Sequence, residues 1–165
     1  MTPKHRIFLG IGSNIDRQAN IESCLQHLRC AFARLRISPI YQSPSYGFAG
    51  ADFHNLAVQI ETAFTPQKLK PWLQWLEDRH GRDRSRPRYS NRTLDIDLLL
   101  CDDWCLNEGS IQLPRAEILT RKYVLKPLQD LAPEYRHPVA KKRLARLWQA
   151  LDESDSSELS LVTYQ

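Results

Sequence analysis

The sequence predicts an α+β fold, with an antiparallel sheet on a split β-α-β core, two helices packed on one face and extra helices near the C-terminus. The predicted elements follow the order β-α-β-β-α-β, which is the ferredoxin-like pattern. Two segments repeat apolar residues at helical spacing, and the segments between them read as buried strands. A length of 165 residues suits one domain. We therefore expect residues 1–165 to form a single domain, with 152–165 as a candidate flexible tail.

Composition narrows the class of protein. The chain is 42% hydrophobic and 25% charged, as is typical of globular proteins. No apolar run approaches the roughly 20 residues that cross a bilayer, and the apolar stretch 7–11 is too short for a signal peptide. The net charge of +4 suits an anionic substrate such as a nucleotide, and it would also suit nucleic acid. We expect a cytoplasmic monomer that acts on small molecules, without membrane or nucleic-acid partners.

The cysteines do not predict a structural zinc site. Cys24, Cys30, Cys101 and Cys105 form no C-x-x-C pair, and the five histidines are scattered. Free thiols in a reducing compartment are the expected state.

The first predicted strand covers residues 7–12, and a tight turn follows in which Ser13 or Asn14 helps to cap the next helix. The segment Gly10-Ile11-Gly12 resembles the start of a dinucleotide fingerprint, but the third glycine is missing. Apolar residues at three- and four-residue spacing predict an amphipathic helix over 21–35. A short strand over 37–41 follows it.

Residues 42–51 combine Gly, Pro and Ser with aromatic residues and predict a loop. Its Tyr46 and Phe48 could pack on a flat ring ligand or on the base of the loop itself. The segment 53–62 alternates in its later part and predicts a strand. Asn55 lies near its beginning, where the amide suits the edge of a heterocycle, although capping of the backbone suits it equally.

A second helix is predicted to begin at Thr65-Pro66, with Thr65 as N-cap, and to end near Gly81. Pro71 lies inside the apolar pattern and weakens the prediction of an unbroken helix. Gln74 and Glu77 project near its end.

The segment 79–92 is dense in arginine and has no apolar periodicity, which predicts a mobile loop. Such a run is commonly a solvated surface, and nucleic-acid binding is a second interpretation. Arginine also binds phosphate through its planar fork. Because this loop leads directly into an acidic strand, we weigh phosphate binding above the other two interpretations.

That acidic strand is Arg92-Thr93-Leu94-Asp95-Ile96-Asp97, followed by three leucines. Side chains alternate along a strand, so Asp95 and Asp97 share one face with Cα atoms roughly 6.5–7 Å apart. A solvated strand face and ion pairs with arginine are the plain alternatives. A pair of Mg²⁺ ions bridged by phosphate oxygens would also satisfy the two carboxylates. Beside an arginine loop, this pair indicates phosphoryl transfer from a magnesium nucleotide.

The remainder of the chain predicts short elements. They are a hairpin over 102–107 and 111–114, a helical turn over 115–119, a helix from 121–128 interrupted near Pro133, a helix over 144–151, a frayed connector over 152–158, and a tail or edge strand over 159–165.

These segments together resemble the 6-hydroxymethyl-7,8-dihydropterin pyrophosphokinase family of folate biosynthesis. The similarity extends roughly from Ile7 to Pro133. It rests on the following segments: Gly12-Ser13-Asn14, Tyr41-Gln42-Ser43-Pro44, Asp52-Phe53-His54-Asn55, Gln74 and Glu77, Gly81-Arg82, Arg92 to Asp97, Arg121, and Leu125-Lys126-Pro127-Leu128. The resemblance implies Mg²⁺-dependent transfer of a diphosphate from ATP to the hydroxymethyl oxygen of the dihydropterin, with AMP as the other product.

The resemblance also implies roles for individual residues. Asp95 and Asp97 would bind two Mg²⁺ ions. The catalytic set would be Arg82, Arg92, Asp95 and Asp97. The ATP-binding set would be Gln74, Glu77, Arg82, Arg92, Arg115 and Arg121. The pterin-binding set would be Ser43, Pro44, Tyr46, Phe53, Asn55 and Tyr123, with Tyr123 stacked on the ring.

The chain departs from the family pattern at three places. Tyr89-Ser90-Asn91 stands where the family usually has Trp-Gly-Pro, Arg115-Ala116 where it has histidine and tyrosine, and Tyr123 where it has phenylalanine. A diverged paralogue acting on another pterin-like acceptor is therefore an alternative. A ferredoxin-like RNA-binding module is a third interpretation. The two acids on a strand predicted to be central argue against it, because they would repel a polyanion.

Overall fold

The computed structural model describes residues 2–165. Its strands are β1 His5–Ser13, β2 Leu35–Ile37, β3 Ile40–Ser43, β4 Phe53–Thr62, β5 Asp95–Cys101, β6 Leu106–Glu108, β7 Ile111–Leu113 and β8 Ser160–Val162. Its α-helices are α1 Arg17–Ala31, α2 Pro66–Arg79, α3 Lys122–Leu131 and α4 Leu144–Ser154, and a short 3₁₀ helix spans Ala116–Leu119.

The main sheet is antiparallel and has the order β5-β1-β4-β3-β8, with β2 also paired to β4. Along β1, Gly10 lies opposite Asp97 and Gly12 opposite Asp95. Gly12 lies opposite Asn55 on the other side. The strand of the two aspartates is therefore at the edge of the described sheet, and its prediction as a central strand is wrong. The apolar residues of β5 are buried by packing on the faces of the sheet. Such burial occurs at an edge strand as well as at a central one, so an apolar sequence does not distinguish the two.

The helices cover both faces of the sheet. The helices α1 and α2 pack on one face, over a core that includes Ile7, Leu9 and Ile11 of β1. The helices α3 and α4 pack on the opposite face, over a second core that includes Phe8 of β1 and Leu99 of β5. The predicted α+β fold, with two helices on one face and further C-terminal helices, is confirmed.

Several predicted boundaries in the first half shift. The helix α1 occupies 17–31 rather than 21–35, because residues 35–37 leave the helix to pair with β4. The strand predicted over 37–41 is two strands, β2 and β3, separated by Ser38-Pro39. Proline lacks the N–H that a continuous ladder needs.

The predicted turn after residue 12 is also different. Ser13 still belongs to β1, and the helix begins after Asp16, which has a φ of 43° and makes no capping hydrogen bond through its side chain. Asn14 does not cap this helix, because its side-chain oxygen accepts from the backbone N–H of Arg92 at 2.7 Å. The side chain of Asn14 therefore makes a long-range contact in place of the expected helix cap.

The other elements follow the predictions closely. The strand β4 has the predicted bounds, and α2 continues through Pro71, which is exposed. Thr65 is the N-cap residue of α2, although its side chain makes no capping hydrogen bond. The hairpin β6–β7, the 3₁₀ turn and the two C-terminal helices are present. Of the two alternatives for the end of the chain, the edge strand is correct for residues 160–162, since β8 pairs with β3. Among the described residues, no helix combines the length and apolar character that crossing a membrane requires.

Candidate active site

A cavity of about 490 Å³ lies against the face of the sheet that carries Asp95 and Asp97. Gly10 and Gly12 of β1 form part of its lining. A Cβ atom at Gly12 would lie 3.1 Å from Oδ1 of Asn55, and one at Gly10 would lie 3.3 Å from Leu99. The two glycines thus leave space between the aspartates on β5 and the amide on β4.

Both aspartates line this cavity, and each faces an arginine. Nη1 of Arg82 is 3.0 Å from Oδ1 of Asp95, and Nη1 of Arg115 is 3.5 Å from Oδ1 of Asp97. The prediction that Asp95 and Asp97 share one strand face agrees with their common position in the cavity. Ion pairs with arginine, one of the plain alternatives for this pattern, are present.

The carboxylate of Asp97 is electrostatically strained. Burial and the neighbouring charge of Asp95 raise its pKa from 3.8 to about 7, and Arg115 opposes that rise only in part. A carboxylate that is costly to ionise gains from a nearby cation, which removes the cost of its charge. The site therefore favours additional positive charge beside Asp97.

The donor set fits Mg²⁺. Two carboxylates on one strand face offer the oxygen ligands that this ion prefers. Nε of Arg82 is buried and has no hydrogen-bond partner among residues 2–165, so this guanidinium retains a donor for a ligand oxygen. The cavity can thus hold both a cation and an anionic group.

Glu77 supports the strand rather than standing free in the cavity. It is buried, one carboxylate oxygen accepts from the backbone N–H of Ile96 at 2.7 Å, and the other accepts from Arg84 at 2.9 Å. Burial raises its pKa, and the hydrogen bond from Ile96 opposes that rise. Both oxygens are occupied in holding β5 and the arginine segment (residues 79–92) against α2.

Arg92 is buried at the end of the arginine segment, and its guanidinium is satisfied locally. It donates to the carbonyl oxygens of Pro87 at 2.9 Å and Arg88 at 2.7 Å, and it also bonds Ser90. Ser90 is one of the residues at which the chain departs from the family pattern. Its hydroxyl helps to fix the orientation of Arg92.

Glu117 links two of the cavity arginines. It accepts from Nε of Arg115 at 3.1 Å and from Arg88 at 3.3 Å. Since Arg115 also faces Asp97, the 3₁₀ turn and the arginine segment are connected through this carboxylate. Sequence reasoning did not single out Glu117, and its position two residues after Arg115 gave only a weak signal.

The other wall of the cavity is aromatic and carries an amide. Nδ2 of Asn55 donates to the Ser43 hydroxyl at 2.8 Å, and the Asn55 side-chain oxygen accepts no hydrogen bond within residues 2–165. Phe48 and Phe53 form an edge-to-face pair with centroids 6.4 Å apart. This wall presents apolar rings beside an unpaired acceptor, which suits a flat heterocycle.

Most predicted site residues meet in this one cavity. Those that line it are Ser43, Pro44, Tyr46, Phe53, Asn55, Glu77, Arg82, Arg92, Asp95, Asp97, Arg115 and Tyr123. Gln74 and Arg121 are not among the lining residues. Arg121 instead lies over the Tyr46 ring, 3.9 Å from its centroid, and donates to the Tyr46 hydroxyl at 2.6 Å.

Asn14 ties the segments around the cavity together. Besides accepting from Arg92, its amide donates to Oδ1 of Asn91 at 2.9 Å and to the carbonyl of Ala51 at 3.1 Å. The end of β1, the aromatic loop and the arginine segment therefore meet at one side chain. These partners are 37 to 78 residues away along the chain, so no local pattern predicts them.

A second group of metal-capable side chains lies at the other end of β5. Ligand-type atoms of His5, Cys101 and Asp102 are within 4.8 Å of one another. Nδ1 of His5 already lies 2.8 Å from Asp102, and burial raises the pKa of Cys101 to about 12. His5 and Asp102 satisfy each other, and the protonated thiol is a poor ligand.

Comparison with known proteins shows the family of the chain. Residues 8–133 match the family model described as 7,8-dihydro-6-hydroxymethylpterin-pyrophosphokinase (HPPK). Relatives named 2-amino-4-hydroxy-6-hydroxymethyldihydropteridine pyrophosphokinase include one from Methylorubrum extorquens, 35% identical over 78% of this chain and 84% of its own. Another, from Pseudomonas aeruginosa, is 34% identical over 81% and 84%, respectively.

A solved structure shows the same fold. A Plasmodium falciparum HPPK-DHPS protein superposes with a TM-score of 0.74 at 14% identity, covering 90% of this chain and 46% of that one. This chain thus spans about half of that larger protein. By its family match and its curated relatives, the chain belongs to the 7,8-dihydro-6-hydroxymethylpterin-pyrophosphokinase family.

Proposed function

We propose that this chain transfers a diphosphate from ATP to the hydroxymethyl oxygen of 6-hydroxymethyl-7,8-dihydropterin, a step of folate biosynthesis. In this reaction the acceptor oxygen forms a bond to the β-phosphorus of ATP and loses its proton. The bond between that phosphorus and the oxygen bridging it to the α-phosphorus breaks, and AMP leaves. The observation that carries the proposal is that Asp95 and Asp97 face one cavity between an arginine-rich wall and an aromatic wall.

Asp95 and Asp97 are the residues that would hold magnesium, and we propose two ions, as the family resemblance implies. Bound Mg²⁺ supplies charge neutralisation on phosphate oxygens. The ionised form of Asp97 is the one that binds a cation. Because burial and the charge of Asp95 raise the pKa of Asp97 to about 7, a bound cation would also offset the cost of ionising that carboxylate.

Arg82 and Arg115 would neutralise negative charge on the phosphate chain. Each is held at the cavity by an aspartate, at 3.0 Å for Arg82 and 3.5 Å for Arg115. When a cation satisfies those aspartates, the guanidinium groups become free to donate to phosphate oxygens. Preorganised donors in a partly dry cavity stabilise a developing charge more than donors in water do.

Arg92 would act from a fixed position. Its bonds to Pro87 and Arg88 tie it to the arginine segment, so it moves with that segment. Gly81, with a φ of 78°, lies near the start of the segment, two residues after the end of α2, and provides a point about which the rest of the segment can swing. We propose that this movement closes the arginine wall over the nucleotide and excludes water.

The aromatic wall would bind the acceptor. The free amide oxygen of Asn55 can accept from the amino group of a pterin, while Phe53 and Tyr123 offer ring faces. Ser43 holds the Asn55 amide in place. The space left by Gly12 lies directly below this amide, so a flat ring can approach it.

A direct assay tests this function. The purified protein is incubated with ATP, Mg²⁺ and 6-hydroxymethyl-7,8-dihydropterin, and AMP and the pterin diphosphate are quantified. Asp97→Ala is expected to abolish turnover while the far-UV spectrum stays unchanged. Asp103→Ala, at an exposed acid after β5, serves as the matched control and should keep wild-type activity. A folded wild-type protein that forms no AMP would remove the proposal.

The same assay addresses the paralogue interpretation. Arg115 and Tyr123 line the cavity and differ from the residues usual in the family, so other 6-substituted pterins should also be tested as acceptors. AMP formation with one of these, but not with the hydroxymethyl compound, would change the acceptor and keep the transfer chemistry.

A further inference from the structure

The cavity is lined by seven basic side chains, which are Lys70, Arg82, Arg84, Arg86, Arg88, Arg92 and Arg115. An anionic ligand in this cavity would lie among them. They differ in whether they already have a partner inside the chain.

All six arginines are engaged. Five form ion pairs with carboxylates: Arg82 with Asp95, Arg84 with Glu77 and Asp78, Arg86 with Asp83, Arg88 with Glu117, and Arg115 with Asp97 and Glu117. Arg92 donates to main-chain carbonyl groups instead. Apart from Nε of Arg82, which has no hydrogen-bond partner among residues 2–165, their bonded donors would have to loosen or share an internal contact to bind a phosphate oxygen.

Lys70 is different. It is half-buried on α2 and lines the cavity, yet it has no ion pair or side-chain hydrogen bond to any of residues 2–165. It lies two helical turns before Glu77, on the same face of α2, at an axial distance of about 10.5 Å. Glu77 contacts β5 at Ile96, so this face of the helix runs alongside the strand of the aspartates.

Lys70 shares the lining of the cavity with the groups that would meet the nucleotide. Asp95, Asp97 and Arg115 line the same cavity. Because this ammonium group has no partner among residues 2–165, an anionic ligand can pair with it without displacing an existing contact. Sequence reasoning did not single out Lys70, because a lysine on an amphipathic helix ordinarily reads as solvated.

We propose that Lys70 binds a phosphate group of the nucleotide from the α2 wall of the cavity. The inference rests on the proposed function, since it takes ATP as the anionic ligand. The ammonium group of Lys70 can meet the phosphate chain without giving up any contact to residues 2–165. It acts in binding and takes no part in bond making.

The test compares two ligands in four proteins. Wild type, Lys70→Met, Lys70→Arg and Lys68→Met are titrated with a non-hydrolysable ATP analogue in the presence of Mg²⁺, and with adenosine. Methionine keeps most of the stem of the side chain and removes the charge. Lys68 is exposed on the same helix and does not line the cavity, which makes Lys68→Met the matched control.

Lys70→Met should weaken binding of the analogue about fivefold to tenfold, the size of one charge-assisted contact. Its affinity for adenosine should change less than about twofold, because adenosine has no phosphate. Lys70→Arg should restore most of the affinity, and Lys68→Met should resemble wild type. A fall in the slope of affinity against salt concentration for Lys70→Met alone would support the same contact.

Two outcomes would overturn the inference. One is an unchanged affinity of Lys70→Met for the analogue, and the other is an equal loss for the analogue and for adenosine. Activity separates this failure from failure of the proposed function. A wild type that forms AMP, together with an unaffected Lys70→Met, removes only the lysine contact. A wild type that binds the analogue through Lys70 but forms no AMP removes only the transfer reaction.

Discussion

Replacing Asp97 with asparagine should stabilise the metal-free protein at pH 8. The substitution keeps the size of the side chain and removes a charge that the fold disfavours. The pKa of this carboxylate is about 7 in the folded chain, against an ordinary value of 3.8. Asp97 should therefore cost stability whenever it must be ionised, and the cost should disappear in Asp97→Asn.

The magnitude follows from that pKa. A rise of about three units corresponds to about 4 kcal/mol at 1.36 kcal/mol per unit. One third of the side chain, 33%, is exposed. Screening by water then reduces the effect to about 2 kcal/mol. For a domain of this size, that predicts an increase in Tm of about 4–8 °C.

The dependence on pH has a definite sign. Well below pH 4 the carboxyl is protonated in both the folded and the unfolded chain, so wild type and variant should be alike. Between pH 4 and pH 7 the unfolded chain ionises first, because the folded pKa is the higher one. Wild type should therefore lose stability relative to Asp97→Asn over this range, and the full difference should be present at pH 8.

Thermal unfolding from pH 4 to pH 8 in the presence of a chelator measures this difference. Asp103→Asn, at an exposed acid, is the control and should follow wild type within about 1 °C. Added Mg²⁺ should raise the Tm of wild type at pH 8 more than that of Asp97→Asn. A variant that is less stable than wild type at pH 8, or a difference that stays constant across the pH range, would refute the reasoning.

Two further predictions concern the framework of the site. Asn14→Ala should lower the free energy of unfolding by about 2–3 kcal/mol and reduce kcat more than it raises KM, because it breaks the hydrogen bonds to Arg92 and Asn91. Chemical denaturation measures the first effect and steady-state kinetics the second. Unchanged kinetics would contradict the positioning role. Gly12→Ala should weaken binding of the pterin at least tenfold and change binding of the ATP analogue less than twofold, because the new Cβ would lie 3.1 Å from Oδ1 of Asn55. Titration with each ligand measures the two affinities. Equal losses for the two ligands would place the pterin elsewhere.

Local patterns in the sequence determined much of the architecture. Strand β4 agrees with its predicted bounds, and α2 begins where Thr65-Pro66 predicts, because alternation and helix-start chemistry are encoded within a few residues. The shared face of Asp95 and Asp97 follows from the two-residue period of a strand. Gly10 and Gly12 are also two residues apart on β1 and therefore share one face, although their spacing by itself predicts a turn or part of a nucleotide fingerprint.

Only the tertiary structure decided which groups meet around those aspartates. Arg115 faces Asp97 from a separate turn, Asn14 reaches Arg92 across 78 residues, and Lys70 lies along β5 without a partner among the described residues. The side-chain period fixes the face on which a residue lies. It does not fix which distant element covers that face, since that depends on the register and packing of the whole sheet. The sequence thus predicts the acidic pair, whereas only the tertiary structure shows which charged groups surround it.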